Sequence, residues 1–264
     1  METSLACVSR MAVAALAAVL AFGAVGLCAE PNLPRRKKWK LLWHDEFDGH
    51  RLDETKWTRR HYKCRDGWIV DDAVYLDGKG NLVIKVYEKD GKYYSGIIDT
   101  RGKFEHEYGY WEARCKLPSQ PGHWAAFWLW SPMINPPTPS LLGPAAAGTE
   151  IDVMEYLPRD GDIVHHTLHW YLDTPGNNHH SASHSPRLPG ISKGYHTFAV
   201  EWTPREYVFY VDGKVTWRTS RAISHREQYV LLSEEIEAWA GRIQDAKLPD
   251  FFVVDYVRVY DRAR

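Results

Sequence analysis

Between Gly148 and Tyr156 the chain reads GTEIDVMEY, which sets Glu150, Asp152 and Glu155 within six residues of a run otherwise built from Ile, Val and Met. Paired carboxylates are the groups that cleave a glycosidic bond: one protonates the leaving oxygen, and the other stays ionised and attacks the sugar or its water. Crowding serves that division, because each negative charge raises the proton affinity of the others. Clustered acids also suit a hard cation or a solvated strand face, and the spacing alone leaves those readings open.

Side chains alternate along a strand, so regular pairing puts Glu150, Asp152 and Met154 on one face and Ile151, Val153 and Glu155 on the other. Glu155 would then enter the core, where an unpaired carboxylate costs several kcal/mol. One extra residue near Val153 and Met154, a β-bulge, returns Glu155 to the face of the other two acids. A retaining glycosidase needs its two carboxyl groups about 5–5.5 Å apart, which such a face can supply.

The elements that must carry this strand are themselves β. Runs such as NLVIKVYE, YGYWEARCKL, HWAAFWLW, YHTFAVEW and FFVVDYVRVY follow one another, separated by turn sequences such as DGKGN, KDGK and PRDGD. Helical periodicity is confined to SEEIEAWAGRI, which reads equally as a strand entering a loop. About 230 residues of this kind make one all-β domain, a sandwich or jelly roll. The 264 residues carry a net charge of −1, which gives no electrostatic footprint for nucleic acid and suits a neutral substrate. Twelve Trp and fifteen Tyr exceed what a core needs and supply flat faces for sugar rings.

Residues 1–29 read as a signal peptide, with an apolar run after Arg10 and a cut near Ala29, leaving 30–264 as a single catalytic domain. The protein is therefore expected outside the cytoplasm, secreted or periplasmic, free of the membrane after cleavage and monomeric. Lipid attachment at Cys28 is disfavoured by Leu27, where a small residue is wanted. Two mature cysteines, Cys64 and Cys115, form either one bridge or two separate thiols.

GTEIDVMEY resembles the signature of glycoside hydrolase family 16 in its bulged form, E-x-D-x-x-E, and LLWHDEFDG, YSGIIDTRGKF, GHWAAFWLW, FYVDGK and VVDYVRVY resemble the family's other strands in order. The resemblance implies a concanavalin-like β-jelly roll of two curved antiparallel sheets with a sugar-binding cleft. It implies Glu150 as nucleophile, Glu155 as acid/base and Asp152 as the helper between them, with no cofactor for catalysis. It also implies a histidine beside the acids, matched by His169, and a structural calcium, matched by Asp255 with Glu46 and Gly80 as neighbours.

Alternation places Trp124, Trp128 and Trp130 on one face of HWAAFWLW, and Trp124 and Trp128 are assigned as sugar platforms with Arg101 at the cleft. His179, His180 and His184 fall in a Gly-, Asn- and Ser-rich stretch read as a loop. The implied substrate is a β-1,3- or mixed-linkage glucan. An endo-galactanase of agarase, porphyranase or carrageenase type, a transglycosylase and a non-catalytic carbohydrate-binding module stand as alternatives.

Overall fold

The computed structural model describes residues 33–34, 38–134, 142–176 and 178–263. The expected signal peptide and Cys28 lie outside them. Strands dominate, and among the described residues the only α-helix is the four-residue turn Pro144–Ala147.

Two sheets stack face to face as a β-jelly roll. The larger has eleven strands centred on Gly109–Lys116 and the thirteen-residue Asp250–Arg262. The smaller runs His179–His184, His165–Tyr171, Glu150–Tyr156, His123–Trp130, Tyr229–Ile236, Ile97–Asp99, Thr58–Arg59, all antiparallel. The core between the sheets is filled by alternate residues, Ala125, Phe127 and Leu129 from one strand and Phe198, Val200 and Trp202 from another. Burying a large apolar side chain contributes about 1.5–3 kcal/mol, so these inward rows fix the register of both sheets.

The strands HWAAFWLW and EIDVMEY have the bounds the alternation suggests, because each meets a dry core on one side and a polar face on the other. SEEIEAWAGRI resolves into the end of the strand Tyr229–Ile236 and a 3₁₀ turn, Ala238–Ala240. HHSASH differs from expectation: it is an edge strand, His179–His184, with no apolar face to announce it because it borders the sheet. Gly148 opens the signature strand. Its φ is +97°, and a Cβ there would lie 2.3 Å from the Ser131 side chain, so only glycine lets the chain turn this closely. Cys115 lies in the core while Cys64 is half-buried elsewhere, and both are free thiols.

Candidate active site

The signature strand lies between His123–Trp130 and His165–Tyr171. On one side Trp128 pairs with Asp152 and Phe127 with Met154, so Val153 has no opposite number. On the other, Asp152 pairs with Thr167 and Glu155 with His165, so Val153 and Met154 together face His166. This is a bulge, and its effect is the one the core demands. Ile151, Val153 and Met154 all enter the apolar interior, and Glu155 joins Glu150 and Asp152 on the opposite face.

Burial raises the proton affinity of all three acids. Glu150 is pushed up to about 8, first by burial and then by Glu155 and Glu235, against the pull of Arg65. Asp152 is raised well above the usual carboxylate range by burial and by the charges of Glu155, Glu150 and Glu235. Glu155 is raised to about 7, burial and Glu235 being opposed by Arg65 and by hydrogen bonds from Thr167 and Trp124. The trio titrates as one coupled set that retains protons near neutrality. Thr167 Oγ1–H donates to the Glu155 carboxylate at 3.3 Å and the Trp124 indole also donates to it, and both bonds favour its ionised form against the effect of burial.

Trp124 is corrected from sugar platform to support. It is 3 % exposed, packed with Ala126, Leu157 and Ala240, edge-on to Trp239 at 4.7 Å, and covered by the Arg65 guanidinium 5.3 Å from its ring centre. No ring face is left for a sugar. Trp128 is half-buried, with its indole N–H 3.1 Å from Ser233 Oγ and its ring edge-on to Trp130 at 5.6 Å. Both line a cavity of about 280 Å³ together with Tyr62, Arg60, Arg101 and Glu235. Arg101 thus reaches the cleft face.

His169 pairs with Glu150 across the strands. Its Nε2 is 3.6 Å from Asp152 Oδ2, too long for a hydrogen bond, while Nδ1 lies 3.0 Å from His179 Nε2. Burial, helped by His179, lowers His169 to about 4, so it faces the acids as a neutral ring. Glu150, Asp152 and His169 each offer an atom within 4.8 Å of the others. A divalent cation could be held there only at the expense of the carboxylates' own chemistry.

The carboxylates expected to hold a structural calcium are each paired with an arginine. Asp255 accepts from Arg114 Nη1 at 2.5 Å, and Glu46 receives Arg258 through Nε at 2.8 Å and Nη2 at 2.7 Å. Both carboxylates thus have a guanidinium as their neighbour. Sequence reasoning missed Arg65, Cys64 and Glu235. Glu235 lies opposite Trp124, accepts from Arg65 Nε at 2.8 Å and from the Cys64 thiol at 3.3 Å, and adds a fourth carboxyl group beside the trio. The alternation in LSEEIE would have set Ser233 and Glu235 on one face, but nothing local says that the strand adjoins HWAAFWLW.

Two stacked curved sheets with a bulged E-x-D-x-x-E strand on the outer face of one define a glycoside hydrolase of the β-jelly-roll class. The chain belongs to glycosyl hydrolases family 16, whose profile matches residues 63–247. It is 31 % identical over 255 residues to a beta-glucanase of Rhodothermus marinus, an alignment covering 84 % of this chain and 85 % of that one. It is 30 % identical over 240 residues to a keratan-sulfate endo-1,4-beta-galactosidase of Sphingobacterium multivorum, covering 84 % of this chain and 55 % of the relative. The X-ray structure of the laminarinase from Rhodothermus marinus superposes with a TM-score of 0.72 at 27 % identity, covering 86 % of this chain and 99 % of that one.

Proposed function

We propose that the protein is an exported, retaining endo-glycosidase that cuts β-1,3- or mixed-linkage β-1,3-1,4-glucan, and that it works as a monomer. The observation that carries the reading is the bulge at Val153, which gathers Glu150, Asp152 and Glu155 on the cleft face. Export is supported by the apolar run after Arg10, and the mass of the mature protein tests it.

In this reading a polymer lies across the sheet with a sugar against Trp128 and Trp130. Glu155 protonates the leaving oxygen while Glu150 attacks the anomeric carbon, giving a covalent glycosyl-enzyme. The aglycone departs, Glu155 takes a proton from an incoming water, and that water releases the sugar from Glu150. Asp152, protonated at rest by its raised proton affinity, exchanges its proton with the neighbouring carboxylates as charge moves. Thr167 and Trp124 hold the Glu155 carboxylate in place. Neutral His169 covers the trio on the His179 side without adding a charge. These steps draw only on protein groups and water.

A galactan substrate is the second reading, favoured by Arg60 and Arg101 in the cavity beside Trp128 and by the similarity to the galactosidase of Sphingobacterium multivorum. Product release from laminarin, barley mixed-linkage glucan, agarose, porphyran and carrageenan separates the two, with Glu150→Gln run beside the wild type. Cleavage of a glucan by the wild type alone is expected. Cleavage of a galactan moves the protein to the second reading, and a polymer bound but uncut removes the enzymatic one.

A further inference from the structure

Beneath the bulge lies a buried polar chain that the steps above do not use. His166 is fully buried between the sheets. Its Nδ1 is 2.7 Å from the carbonyl oxygen of Val153, its Nε2 is 2.9 Å from Thr216 Oγ1, and its ring packs on Phe209 at 5.0 Å. A carbonyl only accepts, so Nδ1 carries the hydrogen. Burial lowers the imidazole to about 4 and keeps it neutral, so Nε2 accepts from the Thr216 hydroxyl. One tautomer satisfies both ends of the chain.

The placement is specific to the bulge. Val153 is the residue that the signature strand carries without a partner on the His123–Trp130 side, and a peptide carbonyl turned into a dry interior must find a donor. His166 is the residue that faces Val153 and Met154 across the strand pair. Thr216 belongs to Lys214–Thr219 in the other sheet. The chain Val153, His166, Thr216 is thus a strut from the opposite sheet to the one carbonyl that marks the extra residue. Glu155 follows two positions later, and its facing depends on that extra residue staying where it is.

We infer that His166 is a positioning residue for the acid/base: its Nδ1–H clamps the Val153 carbonyl, locks the bulge and so aims the Glu155 carboxyl at the leaving oxygen. The inference rests on the reading of Glu155 as acid/base. A carboxyl aimed wrongly loses most where the leaving group needs its proton, and loses little where the leaving group departs unaided.

The test compares kcat on the polymer that the wild type cuts with kcat on an aryl oligosaccharide of the same sugar carrying a good leaving group. His166→Leu fills the space without a donor and is expected to lose at least about 30-fold on the polymer, with KM nearly unchanged and less than about 3-fold lost on the aryl substrate. His166→Asn, which can present an N–H near the position of Nδ1, is expected to recover most of the polymer rate. A merely structural role would lower both rates together, so equal losses, or no loss, overturn the inference. Should His166→Leu fail to fold by circular dichroism, Thr216→Val takes its place: it removes the outer anchor, and a ratio of polymer loss to aryl loss near one overturns the inference. Glu155→Gln is the control. If it shows the leaving-group dependence and the His166 variant does not, only the strut fails; if it does not show it, the acid/base reading fails and the strut with it.

Discussion

Replacing His123 by Gln isolates the charge buried behind the active-site strand. His123 begins the strand that carries Trp124 and is fully buried. Its Nδ1 is 2.8 Å from Glu234 Oε2, and its Nε2 is 3.4 Å from Asp250 Oδ2. Asp250 in turn accepts from the backbone N–H groups of Ser119 and Gln120 at 2.7 and 2.6 Å. Burial works against the imidazolium, but the two carboxylates outweigh it and raise His123 to about 9 from 6.5. Burial also raises the proton affinity of Glu234 despite His123, so the two side chains share a proton tightly while Asp250 adds its charge on the other side of the ring. A raised pKa means that the native state holds its proton more tightly than the unfolded chain. The stabilisation is therefore complete below pH 6.5 and lost as pH rises through about 9. At 1.36 kcal/mol per pH unit it amounts to roughly 3 kcal/mol, a large part of the usual 5–15 kcal/mol. The His123 share of the fall in wild-type Tm between pH 6.5 and 9.5 should be about 6–12 °C, on top of what the raised acids of the active site lose in the same range. His123→Gln should melt lower at pH 6.5 and show a flatter profile. Calorimetry across that range measures both, and an equal slope in the two proteins would refute the assignment of the charge to His123.

Three further expectations follow from the site. Thr167→Val removes a hydrogen bond that holds the Glu155 proton affinity down; since the acid must be protonated, the alkaline limb of kcat/KM should move to higher pH, and a downward move in the pH profile would contradict it. Trp128→Ala takes away a half-buried ring that lines the cavity; if it carries a sugar, KM should rise about 10-fold, roughly 1.4 kcal/mol, with kcat little changed in steady-state kinetics. Because Arg114 and Arg258 already engage Asp255 and Glu46, chelation by EDTA should leave Tm unchanged; a fall reversed by added calcium would establish a bound cation.

Much of the site was legible because it is local. E-x-D-x-x-E forces its own bulge: an acid at every polar position of a half-buried strand has one arrangement that keeps carboxylates out of the core, and the counting of alternate residues reveals it. The faces of HWAAFWLW and the all-β class followed from the same alternation. The roles of Trp124 and of the calcium candidates did not. Alternation put Trp124 on the cleft side, but only the packing of Trp239, Leu157 and Arg65 around it decided that its indole would hold Glu155. Glu235 lies about eighty residues from the signature, and Thr216 about sixty from Val153, so neither could be joined to the trio until strand order was known. Sequence determines which face a side chain takes, because the pleat has a period of two. Which side chains meet there is decided by strand order, burial and competition for partners, and these exist only once the sheets have closed on their core.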